Sequence, residues 1–127
     1  MLDHVVIVSS DLEKSRSFYA EALAPLGYEE LMSFPSGVGF GMRGKPDFWL
    51  REGSPGEPVH VAFAADRPTV DAFHEAALAA GGRDNGGPGV REIYHPHYYG
   101  AFVLDHGAFV LDPDGHNIEV VCHQPSD

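Results

Sequence analysis

The chain has 127 residues, 43% of them hydrophobic and 21% charged, which suits one core of ordinary globular composition. Its formal net charge of -11 argues against nucleic acid, whose phosphates repel such a surface, and disfavours anionic membranes. The single cysteine, Cys122, excludes an intrachain disulfide and fits a reducing compartment.

No apolar run approaches the roughly 20 residues needed to span a bilayer. The start MLDHVVIVSSDLEKS is acidic where a signal peptide is basic, so the expected location is the cytoplasm. In chain order, Leu2–Ser9 is rich in β-branched residues and predicts a strand. Ser10-Asp11-Leu12-Glu13 reads as a capping box, with the serine hydroxyl and the glutamate satisfying each other's backbone N–H groups. Leu12, Ser15, Tyr19, Ala22, Leu23 and Leu26 follow at helical spacing, and Gly27 ends the run. Three short strands are expected near Glu29–Phe34, Val38–Met42 and Phe48–Arg51, punctuated by Gly and Pro.

The order then restarts. Val59–Ala64 reads as a strand, Asp66 and Pro68 as a helix start, and Val70, Phe73, His74, Ala77 and Leu78 as its apolar face, ended by Gly81-Gly82. Phe18, Ala22, Leu23, Ala24 and Gly27 recur as Phe73, Ala77, Leu78, Ala79 and Gly82 at an offset of 55, and His4 and His60 lie 56 apart. Strand, cap, helix and stop recur in the same sequence, which marks an internal repeat. The expectation is one α+β domain of two βαβββ modules, about residues 1–53 and 57–125.

The second module contains its own repetition, GAFVLD at Gly100–Asp105 and again at Gly107–Asp112. A seven-residue unit is odd, so one strand through both copies points Phe102 and Phe109 to opposite faces. Asp112-Pro113-Asp114-Gly115 is a type I turn signal that couples the second copy to the strand carrying Glu119. Gly107–Leu111 is therefore expected beside Glu119. The first copy is expected as a bulge, an irregular loop or an added edge strand, with a break near Asp105–Gly107.

His4, His60 and Glu119 carry the chemistry. On period-2 alternation His4 shares a face with Val6 and Val8, and His60 with the small residues Ala62 and Ala64. Glu119 lies opposite the core-facing Ile118 and Val120. A buried carboxylate is costly unless it is paired or bound to a cation. Two imidazoles and one carboxylate suit a single divalent ion, with Fe, Ni, Zn or Mn all compatible.

The start LDHVVIVSSDLEKSRSFYAEAL and the ending DPDGHNIEVV resemble the vicinal oxygen chelate superfamily: glyoxalase I, extradiol dioxygenases, fosfomycin-resistance and bleomycin-resistance proteins. The likeness covers essentially the whole chain, and the DPDG-x-x-x-E ending is its most specific piece. It implies two βαβββ modules curled into a cup-shaped mixed sheet with helices outside, a metal on His4, His60 and Glu119, and a homodimer completing each cup. Glyoxalase I carries a further carboxylate on the last strand of its first module, where this chain reads Phe48-Trp49-Leu50, with Glu52 slightly beyond. A fosfomycin transferase wants clustered cations, and the eight Lys and Arg here are scattered.

Around the cup, Tyr99 and His95 are the acid–base candidates, Arg91 and Arg43 candidates for a substrate carboxylate, and Trp49 and Phe40 for an apolar pocket wall. His116, in the turn before the last strand, is at most a group supporting a ligand. Three functions fit a small-molecule substrate. They are a metal-dependent lyase or isomerase on an oxygenated metabolite, an Fe(II) extradiol-type dioxygenase with His95 over the metal, and a non-catalytic drug-binding module.

Overall fold

A computed structural model of the protein describes residues 1–92 and 104–123. The first module is β1 (Val5–Ser9), α1 (Leu12–Ala22), a short 3-10 turn at Ala24–Leu26, β2 (Glu29–Phe34), β3 (Gly37–Met42) and β4 (Lys45–Glu52). The second is β5 (His60–Ala64), α2 (Arg67–Ala79), β6 (Arg83–Asp84), β7 (Gly89–Glu92), β8 (Leu104–Leu111) and β9 (Asn117–Cys122). The molecule is α+β, as the repeat predicts. Among the described residues no helix is long and apolar enough to cross a membrane.

Each module builds one mixed sheet in the same way. In the first the order is β1-β4-β3-β2, with β1 parallel to β4. In the second it is β5-β9-β8-β6, with β7 also on β8 and β5 parallel to β9. The antiparallel neighbours are joined by short turns. The tightest, Arg43-Gly44 between β3 and β4, has both residues at positive φ (55° and 75°), the hairpin geometry that matches strand twist. The second module's first hairpin strand is split. Asn85 donates to the Phe109 carbonyl and Phe109 to the Gly86 carbonyl, so residues 85–88 bulge against β8 and pairing resumes at Gly89↔Gly107.

The helix start differs from the capping box. Asp11 is the N-cap, its carboxylate accepting from the Lys14 N–H. The Ser10 hydroxyl is engaged elsewhere, donating to Asp114 across the chain. The aligned glycines also differ in role. Gly27 holds φ 86° at the end of the 3-10 turn, but in the second module that conformation falls on Gly81 (φ 97°). Gly82 is a close-packing site instead, where a Cβ would run into Val110 and lie 2.7 Å from the Phe18 ring.

The repeated hexapeptide resolves in favour of the second copy. Phe109 lies opposite Glu119 and Ala108 opposite Val120, so Gly107–Leu111 is the strand beside Glu119. The expected break near Asp105–Gly107 is absent. β8 runs unbroken from Leu104, because β7 supplies a partner for Leu104–Gly107 while β9 pairs with His106–Leu111. The irregularity sits in the opposite strand, at residues 85–88. Gly100–Val103 of the first copy lie outside the described residues.

The core forms where both helices meet one face of the sheets: Phe18, Tyr19 and Ala22 of α1, Val70, Phe73 and Ala77 of α2, and the alternate buried residues of β3, β4, β8 and β9. Period-2 burial in Ile7, Val38, Phe40, Phe48, Leu50, Ile118 and Val120 leaves the intervening positions on the opposite, open face.

Polar ties join the modules. Tyr19, fully buried, donates its hydroxyl to Asp112 at 2.5 Å, and the other Asp112 oxygen accepts the N–H groups of Asp114 and His116. Burial, together with that carboxylate, holds the Tyr19 hydroxyl well above its ordinary titration point; burial and Asp47 raise Tyr28 as well. Their unfolded values lie near 10, so this contribution to stability is complete below pH 10 and declines as pH rises beyond it. Tyr19→Phe leaves an Asp112 oxygen without its partner and is expected to lower stability by about 2 kcal/mol. Urea titrations at pH 8 and pH 11 check both points, and the variant should lose less than the parent between them.

Candidate metal centre

The parallel pair β5/β9 sets Ala62 beside Glu119 and His60 beside Asn117, which puts His60 and Glu119 on the same open face. His60 Nε2 and Glu119 Oε1 are 3.0 Å apart, the carboxylate side chain 15% exposed and the imidazole 49%. Phe109, opposite Glu119 on β8, stacks on the imidazole with centroids 6.2 Å apart.

The tautomer follows from the backbone. His60 Nδ1 lies 3.1 Å from the Asn117 carbonyl, which can only accept, so Nδ1 carries the proton. In the neutral ring Nε2 then turns a lone pair on a carboxylate oxygen, an arrangement that needs a cation between or a second proton. Two atoms each about 2.1 Å from one ion and about 90° apart lie about 3.0 Å from each other, so the pair fits two ligands of one divalent ion.

His4 is prepared similarly but stands elsewhere. It precedes β1, its Nδ1 2.7 Å from Asp3 Oδ1, and Lys45 Nζ sits 3.0 Å from the other Asp3 oxygen. The hydrogen bonds from His4 and Lys45 hold the Asp3 carboxyl below its usual range. The anion therefore accepts from Nδ1–H and leaves Nε2 as the basic nitrogen, the carboxylate–histidine arrangement that orients metal ligands. Among the described residues, however, no three His, Cys, Asp or Glu side chains of one chain gather as a metal group. The chain assembles His60 with Glu119 and leaves His4 apart.

The remaining candidates separate. Trp49 occupies the open face of β4, stacked on Phe34, and shares a cavity of about 300 Å³ with His4, Val6, Ser36 and Arg51. Phe40 does not line it. Phe40 is on the helix side of β3, fully buried and 6.4 Å from the Tyr19 ring, because strand alternation gives it to the core. Arg43 is exposed at the β3–β4 turn, and Arg91 sits on β7 opposite Asp105. Tyr99 and His95 lie outside the described residues. Glu52 pairs with Ser9 at the end of β1 away from His4, so it does not replace the missing carboxylate.

His116 is a structural bolt. Buried to 2% exposure, it accepts the Val59 N–H at Nδ1 and donates from Nε2 to the Val8 carbonyl, tying β1 to the start of β5. Arg51 is the residue the sequence reading missed. Its signal was available, since it follows Trp49 by two residues and so shares its strand face.

The model of the glyoxalase/bleomycin resistance protein/dioxygenase superfamily matches residues 1–120. The chain belongs to this superfamily. A glyoxalase/bleomycin resistance protein from Albidiferax ferrireducens T118 is 29% identical, with a TM-score of 0.79 over 96% of this chain and 98% of that one. A putative glyoxalase from Bacillus halodurans is 26% identical, with a TM-score of 0.67 over 96% and 95%. A superfamily enzyme from Burkholderia phytofirmans PsJN, at 20% identity and a TM-score of 0.70 over 96% and 98%, shares the fold. No curated protein matches. Superfamily membership accounts for the two-module architecture.

Proposed function

We propose that this protein is a metal-dependent enzyme of the glyoxalase-like type, performing lyase or isomerase chemistry on a small oxygenated metabolite. The observation that carries the reading is the His60–Glu119 pair, two ligand-type atoms 3.0 Å apart on the open face with Nδ1 of the imidazole held by the Asn117 carbonyl. His4, with Nδ1 held by Asp3, is the third ligand. Because one chain keeps His4 apart from the pair, the reading makes the protein a homodimer in which His4 of one copy meets His60 and Glu119 of the other.

A bound Fe, Ni, Zn or Mn ion would supply Lewis acidity to vicinal oxygens of the substrate. The chain's own part is definable. Glu119 contributes the only anionic ligand, Asn117 and Asp3 keep both imidazoles in the Nε2-basic tautomer, and Phe109 limits rotation of His60. Trp49 keeps an apolar wall next to His4, and Tyr99 or His95 would move the proton.

Protein purified without added metal tests this by metal analysis and light scattering. The expected result is about one nickel, zinc or manganese ion per chain in a dimer. Metal bound to a monomer overturns the shared site. Iron shifts the assignment to the dioxygenase reading, and absence of metal after reloading attempts leaves the binding-module reading.

A further inference from the structure

The open face of the first sheet carries a feature that extends beyond the metal ligands. Along β3, Val38 and Phe40 turn to the core, while Gly37 and Gly39 leave the open face bare. A Cβ at Gly39 would lie 2.8 Å from the Trp49 ring carbons Cη2 and Cζ2, so the indole rests directly on the glycine backbone. Phe34, on β2 across β3 from Trp49, stacks with the indole, the ring planes 17° apart and the centroids 6.1 Å apart. Phe34 is 55% exposed and Val6 is 50% exposed. The result is an aromatic wall in a cavity of about 300 Å³, at the small end of the range for ligand sites.

Charge is placed at its ends. Arg51 is two residues along β4 from Trp49, about 7 Å further on the same face. It pairs with Val8, four residues beyond His4, so the guanidinium and the His4 imidazole stand at opposite ends of the wall. In a chain with a net charge of -11, an anion is held only where a cation is presented locally.

We infer that this wall binds a small planar aromatic carboxylate, with its ring on Trp49 and its carboxylate on Arg51, leaving the far ring edge toward His4. Stacking on an indole favours a flat π-system over an aliphatic group of equal area, and a guanidinium favours a carboxylate over a neutral amide. The inference names the substrate class for the proposed enzyme, and it rests on that reading only for what happens at His4.

The sequence contains one tryptophan, so tryptophan emission, excited selectively over the five tyrosines, reports on this wall. Metal-free full-length protein is titrated with benzoate, with cyclohexanecarboxylate (equal charge, not planar) and with benzamide (planar, uncharged). Benzoate is expected to quench saturably and to bind at least ten-fold more tightly than either control. Arg51→Gln should weaken benzoate about ten-fold and leave benzamide unchanged. By calorimetry, Trp49→Ala should weaken benzoate about ten-fold while Trp49→Phe stays within about three-fold of the parent. Equal affinity for benzoate and cyclohexanecarboxylate, or no effect of Arg51→Gln, overturns the inference. So does a Trp49→Ala variant that changes molecular mass while benzoate gives no quench, since the wall is then a contact between copies. Arg51→Gln should keep the metal content of the parent, which separates failure of the wall from failure of the metal centre.

Discussion

Replacing Glu119 with Gln is expected to lower metal affinity by at least about 100-fold, since loss of a mere supporting group to a ligand already lowers it about 10–100-fold. The amide keeps the volume and one oxygen but removes the charge, and Glu119 is the anionic member of the pair with His60. The carboxylate is on the open face of β9, with the core-facing Ile118 and Val120 untouched, so the variant should fold. Metal content per chain after dialysis against chelator and reloading is the measurement. Unchanged content in a folded variant removes Glu119 from the site.

Replacing His116 with Ala is expected to lower stability by about 3 kcal/mol and Tm by about 10 °C. The imidazole satisfies a backbone donor, Val59 N–H at 3.1 Å, and a backbone acceptor, the Val8 carbonyl at 2.9 Å. Both become unpaired at a site closed to water, and a cavity opens where the two modules join. Asn can restore the acceptor for Val59 and Gln the donor to Val8, so each is expected to recover part of the loss. Thermal unfolding followed by circular dichroism checks the series; an alanine variant as stable as the parent would show that water replaces both contacts.

These two residues mark the difference between what a linear reading finds and what it misses. Glu119 is legible because alternation sorts β9 into core and open faces, and a carboxylate on an otherwise apolar strand stands out. His116 was readable only as a group near a ligand, because its partners are main-chain atoms of Val8 and Val59, distant in sequence and invisible to any pattern of side chains. The capping box failed for a related reason. Ser10 and Asp11 both suit a helix start, and the choice between them was made by Asp114, which engages Ser10 from the other module. Phe40 and Trp49 are both aromatic strand residues, and assigning them one role overlooked that buried β3 and β4 neighbours face each side in turn. Phe48 and Leu50 on the core side place Trp49 on the open one.

The sequence by itself determined the two-module order, the strand faces of His60 and Glu119, and the choice of Gly107–Leu111 as the strand beside Glu119. Those follow from short-range periodicity and turn chemistry, which depend only on neighbours along the chain. Tertiary structure alone decided the continuity of β8, since β7 provides partners for Leu104–Gly107 that local reasoning did not anticipate. It also decided that one chain unites only two of the three candidate ligands. Which open faces meet depends on how whole sheets pack, and that packing is set by the core contacts of α1 and α2 rather than by the residues that carry the chemistry.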